Sequence, residues 1–232
     1  MLNRLFSTIK RGSRKIGQGG YTLIEVAAVV AITATLAAVV VPIAVDKVKE
    51  GKVAAATTQC KQIGAAIGGF VKDTGEFPHR NLSGLARTVQ ILWSGESIRW
   101  TPPTFATPSP GWPLISETDA NSRLFNHLGS GGFSRYKTIA GLDWKGPYLD
   151  EIGTDPWGRP YLVLSKGFYY PAPNPNAPAN EFGWILSAGP NGKVETYANG
   201  SVLNADSSGT VQADADDIGI VIYRYQPAQT GL

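Results

Sequence analysis

Residues 20–45 read GYTLIEVAAVVAITATLAAVVVPIAV, and Glu25 is the one charged side chain among them. A helix of about 20 apolar residues crosses a bilayer, so the run from Tyr21 to Val45 is long enough. Two residues set it apart from a plain anchor. Glu25 lies four residues inside the run; a carboxylate at mid-bilayer costs about 2.5–3.5 kcal/mol on insertion scales, and one within a span marks a functional feature with a partner. Pro42 removes one backbone donor and crowds the preceding turn, which predicts a kink or a locally melted stretch. A secretory signal has a shorter apolar core ahead of a small-residue cleavage site, and that pattern does not explain Glu25.

Upstream, Arg4, Lys10, Arg11, Arg14 and Lys15 carry five positive charges with no acid among residues 1–20. The whole chain is only +3, so the basic excess belongs to this leader. Positive charge ahead of an apolar span places the N-terminus in the cytoplasm and the remainder across the membrane.

The composition of the 232 residues is 43% hydrophobic, 17% charged and 10% aromatic, which gives a chain able to bury a core and excludes wholesale disorder. The modest net charge argues against a nucleic-acid partner. The single cysteine, Cys60, excludes an internal disulfide and a thiolate metal cluster. Only His79 and His127 are available as imidazoles. No nucleophile motif, paired histidines, phosphate loop or H-E-x-x-H is present, so the sequence predicts no enzyme.

The helix is expected to continue past the membrane to residue 75. Val53, Ala56, Cys60, Ile63, Ile67 and Phe70 recur at spacings of three and four, an apolar stripe on one face. On it, Cys60 reads as a small buried hydrophobe. Gly75 is suited to end the helix in a left-handed cap. Beyond it, 27 Gly and 16 Pro in the whole chain favour turns and short strands. Asp155-Pro156-Trp157-Gly158 reads as a turn. Tyr161–Leu164 reads as a strand and Trp184–Ser187 as its hairpin partner, with the Pro/Asn-rich loop Tyr169–Asn180 between them. Ile218–Tyr225 is a third strand, and Asn121–Leu128 a short helix holding His127. Trp144 and Trp157 read as packing residues between sheet and helix.

Gly20-Tyr21-Thr22-Leu23-Ile24-Glu25-Val26 behind a basic leader resembles the prepilin motif of type IV pilins and type II secretion pseudopilins. Four further stretches resemble the major, G-type pseudopilin: Asp73-Thr74-Gly75-Glu76-Phe77-Pro78, Trp144–Leu149 with Asp155–Tyr161, Ser187–Gly192, and Asp216–Gly219. The resemblance covers about residues 20–85 and 143–222. It implies an α+β, pilin-like fold: a cleaved leader over 1–20, a long helix over 21–75 that spans the membrane over 21–45, and a small antiparallel-sheet head over 76–232.

It also implies cutting by a prepilin peptidase between Gly20 and Tyr21, N-methylation of Tyr21, and a role for Glu25 and Pro42 in assembly. Tyr21 stands where the family usually has Phe. In such filaments Glu25 would meet the terminal amine of a neighbouring copy. The implied function is a structural subunit of the pseudopilus that drives protein export. It assembles from the inner membrane with an assembly platform and minor pseudopilins, and ends as a periplasmic or extracellular filament. The alternatives are a type IV pilus pilin for adhesion or motility, and a membrane-anchored ligand-binding protein. Residues 86–142, with Trp93, Trp100, Trp112 and several prolines, are longer than the family's head at this point and read as an insertion. The resemblance further implies a calcium loop, with Asn191, Asp216 and Asp217 at matching positions and Asp214 as a nearby carboxylate. Calcium takes six to eight oxygens from carboxylates, amides and carbonyls.

Overall fold

The computed structural model describes residues 20–81, 83, 89–95, 104–105, 122–137, 140–150, 153–165, 182–196 and 216–224. The leader residues 1–19, Trp100, Trp112, Asp214 and the loop over 169–180 lie outside these described residues. The chain divides into two compact units, residues 1–47 and 48–232.

Helix α1, Leu23–Thr74, runs through both units. Thr22 opens it with a reciprocal cap. The Glu25 carboxylate accepts the Thr22 backbone N–H at 2.9 Å and its hydroxyl at 2.8 Å, and the Glu25 N–H returns to the Thr22 hydroxyl at 3.3 Å. Within the first unit the apolar side chains all face outward, from Leu23 at 88% exposed to Val45 at 47%. The polar groups there are satisfied internally. Thr33 donates its hydroxyl to the Val29 carbonyl at 2.9 Å, and Thr35 donates to the Ile32 carbonyl at 2.8 Å. A spanning helix has to satisfy its polar groups in this way, because hydrocarbon offers no partner. α1 passes through Pro42 without interruption, so the melted stretch expected there is absent from the single chain. Pro42 removes one ladder bond, and the helical turns on either side hold the backbone.

In the second unit, α1 buries Ala56, Cys60, Ile63, Ala66, Ile67 and Phe70. The stripe thus falls where the spacing predicts, with one correction: Val53 is 42% exposed. The stripe begins at Ala56, and Ala66 joins it. Gly75, at φ 75°, closes the helix, and its N–H donates to the Val71 carbonyl at 2.8 Å.

The head is an antiparallel sheet of β1 (Ile91–Trp93), β3 (Leu162–Leu164), β4 (Phe182–Ser187) and β6 (Ile218–Arg224), in the order β1-β3-β4-β6. A second, two-stranded parallel sheet pairs β2 (Thr104–Phe105) with β5 (Lys193–Val194). Side chains alternate across the strands. Leu92, Val163 and Ile185 face the α1 stripe, with Ile220 and Ile222 packed alongside. Ile91, Trp93, Leu162, Leu164, Trp184 and Leu186 form a second buried cluster that also holds Val194 of β5.

Gly64, a weak point in the helix by propensity, lies against the sheet. A Cβ there would meet Ile220 at 3.1 Å and Ile222 at 3.3 Å. Glycine lets helix and sheet approach at this point.

The β3–β4 pairing and the third strand match the sequence expectation; β1, β2 and β5 were not anticipated. The helix expected over Asn121–Leu128 is a single turn, α2, Phe125–Leu128, followed by a π-helical turn at Phe133–Lys137. Residues between 86 and 142 are built into the core. They supply β1, Leu124, Leu128 and Tyr136, whose ring meets Phe70 edge-on at 4.7 Å. The Tyr136 hydroxyl accepts the His79 N–H at 3.1 Å and contacts His127 Nδ1 at 2.7 Å. Both histidines are therefore buried parts of the packing. Trp144 is buried and Trp157 half-buried against the same cluster.

Candidate functional site

Two places gather the residues singled out in the sequence. The first is the helix start. Gly20 and Tyr21 precede α1 in non-helical backbone, and Tyr21 is 87% exposed. Among the described residues nothing lies within 4 Å of where a Gly20 side chain would project. Glu25 is exposed at the first turn, with Thr22 as its partner. Pro42 lies farther along the same exposed apolar segment.

The second place is an acidic loop on the head, made by the turn after β4, by β5 and by the residues leading into β6. Gly189 and Gly192 stand at φ 56° and 72° and let the chain reverse there. Gly189 is required on a second count, because a Cβ would lie 2.1 Å from the Asp216 carbonyl oxygen. Asp216 accepts the Asn191 N–H through Oδ2 at 2.9 Å. Asp217 accepts three donors through its own Oδ2: the Glu195 N–H at 2.9 Å, and the Thr196 N–H and hydroxyl at 2.7 Å each. The two carboxylates therefore fasten both flanks of β5.

Their second oxygens are different. Oδ1 of Asp216 and Oδ1 of Asp217 are buried without a hydrogen-bond partner, and Asp217 is only 7% exposed. Burial pushes the Asp217 carboxyl up to about 6 against the pull of its donors. A buried carboxylate oxygen without a donor costs about 1–3 kcal/mol. A cation placed against either oxygen would offset that cost.

The Asn191 side chain is held within the loop. Its Oδ1 accepts the Lys193 N–H at 2.6 Å and its amide donates to Glu195 at 3.1 Å, so it shapes the turn. Glu195, which the sequence reading passed over, is the further carboxylate beside the loop, four residues past Asn191. Among the described residues no cluster of three or more His, Cys, Asp or Glu side chains is placed around one point.

Beside the loop, Asp155 organises the turn before β3. It accepts the Trp157 and Arg159 N–H groups at 3.0 and 2.8 Å and the Ser187 hydroxyl at 2.6 Å. Arg159 then donates to the Gly189 carbonyl at 3.1 Å. The Asp155–Gly158 turn and the acidic loop thus form one hydrogen-bonded unit.

Among proteins of known role, the chain is 28% identical over 151 residues to the type II secretion system core protein G of Pseudomonas aeruginosa, which covers 65% of this chain and 75% of that protein. No family model matches the chain, and no solved structure matches it significantly.

Proposed function

We propose that this pilin-like chain, similar to a pseudopilin and a structural subunit with no enzymatic role, polymerises into the pseudopilus of a type II secretion system. The observation that carries the reading is the first half of α1. It is fully exposed, apolar and long enough to cross a membrane, and its lone acid sits in the first turn. Such a surface is stable in lipid or against copies of itself. The similarity to protein G supports secretion over other fates of such a helix.

In this reading the helix anchors the chain in the inner membrane, with residues 1–20 in the cytoplasm. A prepilin peptidase cuts between Gly20 and Tyr21 and methylates the new amine. In the filament the Glu25 carboxylate leaves Thr22 and pairs with the terminal ammonium of a neighbour. A charge pair in a dry interior is far less costly than either charge alone, so a subunit out of register lacks its partner. Pro42 supplies the point at which packed helices lengthen. The assembly platform and minor pseudopilins start the fibre. The test is N-terminal sequencing and imaging of filaments sheared from cells. Filaments that contain this chain beginning at methylated Tyr21, and depend on the secretion ATPase, support the reading. Filaments that depend on a pilus motor point to a type IV pilin. A chain that keeps Met1 and never enters a fibre overturns both.

A calcium ion on the head belongs to the same proposal. Asp216 and Asp217 would hold it through their orphaned oxygens, and Asn191 would shape the turn beneath. The ion would supply positive charge against the buried oxygen of each carboxylate and so stiffen the loop. A ligand at a hundred times its dissociation constant stabilises by about 2.7 kcal/mol, which a calcium-dependent rise in thermal midpoint would report.

A further inference from the structure

The π-helical turn Phe133–Lys137 sets a large apolar side chain on the surface of the head. Its middle residues, Arg135 and Tyr136, are buried, while Phe133 and Lys137, four residues apart, stay exposed. Among the described residues Phe133, at 52%, is the one large apolar side chain exposed outside α1. Its ring meets the buried Trp144 edge-on at 5.8 Å. Gly132 lets the turn settle on that indole, because a Cβ there would lie 2.6 Å from Trp144 Nε1 and 2.1 Å from the His127 carbonyl oxygen. An aromatic ring on a fixed turn has little freedom to lose on contact, and such rings are enriched where proteins meet.

Trp144 meets Tyr148 edge-on at 5.9 Å, and Tyr148 lines a groove of about 580 Å³ against α1. The apolar lining is Ala65, Ala66, Gly69 and Leu149, small residues on the helix side that leave room for a ring, and the lining acid is the exposed Asp150. Two ring contacts separate Phe133 from Tyr148, so the ring a chain carries rests on its own Trp144 and not in its own groove. Knob and groove match in two respects. The apolar ring suits the apolar walls, and the Lys137 ammonium beside the ring suits the Asp150 carboxylate. Lys137 is 3.7 Å from Asp143, an exposed and loose pair that leaves it able to engage a second carboxylate.

We propose that the Phe133 ring of one copy seats in the groove between α1 and Tyr148 of the next copy, with Lys137 of the first against Asp150 of the second. The contact rests on the filament reading above and goes beyond it by naming where successive heads meet. Knob and groove are different places on one head, so the contact is head-to-tail and can repeat without closing, as a fibre requires. A single aromatic ring buries about 150–250 Å², far below the roughly 1,200–2,000 Å² of a stable complex. The contact therefore forms between copies already held side by side by their apolar helices, where the effective concentration is high.

The test uses the full chain in cells. Phe133→Cys and Ala65→Cys variants are co-expressed, and membranes and sheared filaments are blotted under oxidising conditions for a disulfide-linked dimer; Cys60 is buried and does not compete. A dimer is expected from the mixture and from neither variant alone. Phe133→Ala should lower filament yield at least about ten-fold. Lys137→Glu and Asp150→Lys should each lower it roughly five-fold, and the two together should restore it. No dimer from the mixture, or parental filament yield from Phe133→Ala, overturns the contact and leaves the filament reading standing. A dimer from either variant alone overturns the head-to-tail order. A dimer in membranes from a chain that never enters a fibre upholds the contact and overturns polymerisation. Neither dimer nor fibre overturns both.

Discussion

The Glu25 carboxylate turns back onto Thr22, taking its N–H at 2.9 Å and its hydroxyl at 2.8 Å. In the single chain the acid in the apolar run is therefore already satisfied within one helical turn. This arrangement lets the helix enter a membrane with its charge partly masked. A neighbour's ammonium then competes with a cap of two hydrogen bonds. Glu25→Ala is expected to insert and to be cleaved, yet to yield few filaments. The neighbour's amine would be left unpaired, which costs about 3–5 kcal/mol when buried. Immunoblots of membrane and sheared fractions check this; filaments at parental yield would sink the register argument.

Phe70 is fully buried and meets Tyr136 and Tyr148 edge-on, at 4.7 and 5.7 Å. It joins the end of α1 to residues from two later segments. Phe70→Ala is expected to destabilise the head by about 3–5 kcal/mol, read from denaturant unfolding. A loss under 1 kcal/mol would mean that the site is not packed as described.

Asp155 satisfies two backbone donors and the Ser187 hydroxyl from one buried position. Asp155→Ala strands all three, at an expected cost of about 2–4 kcal/mol. The acidic loop should loosen as well, because Arg159, set by this turn, holds the Gly189 carbonyl. Faster amide exchange in 189–192 of this variant is the second readout.

The Cys60 thiol is wholly buried, and desolvation pushes it up to about 12. At pH 8 its thiolate should be scarce, so alkylation should be roughly a thousand-fold slower than for an exposed thiol. A folded value above the unfolded one contributes stability that is complete below about pH 9 and is lost as pH rises toward 12. The head should therefore weaken on alkaline titration, and Cys60→Ala should flatten that decline. Rapid labelling of the native chain at pH 8 would contradict this burial.

Calcium should raise the thermal midpoint of the parent chain, and Asp217→Asn should abolish the response. The variant should not be less stable than the parent in calcium-free buffer at pH 8, since it removes a buried charge with one orphaned oxygen. A shared calcium response in both proteins would place the ion elsewhere.

Much of this was readable in the sequence, because it depends on local pattern. The apolar run and the stripe from Ala56 to Phe70 are periodicities, and Gly75 is a conformational demand. The β3–β4 pairing follows from two apolar runs joined by one loop. The remainder depends on contacts distant in sequence. β1 is three residues, Ile91–Trp93, and nothing local distinguishes it from a loop; it is a strand because Leu162–Leu164 lies beside it. β2 exists only against β5. The stripe's failure at Val53 has the same origin, since periodicity fixes a face but not where the sheet stops covering it. The turn around Asn191 is likewise set by its neighbours, since Lys193 and Glu195 engage both ends of its amide.

The outward-facing apolar residues of α1 carry a thermodynamic consequence. Lipid tails are as apolar as leucine, so a helix that leaves the bilayer for a bundle of its own kind exchanges one oily surrounding for another. Dewetting then supplies almost no net drive for elongation. Growth would have to draw on contacts between heads, on the Glu25 pair and on mechanical work by a motor.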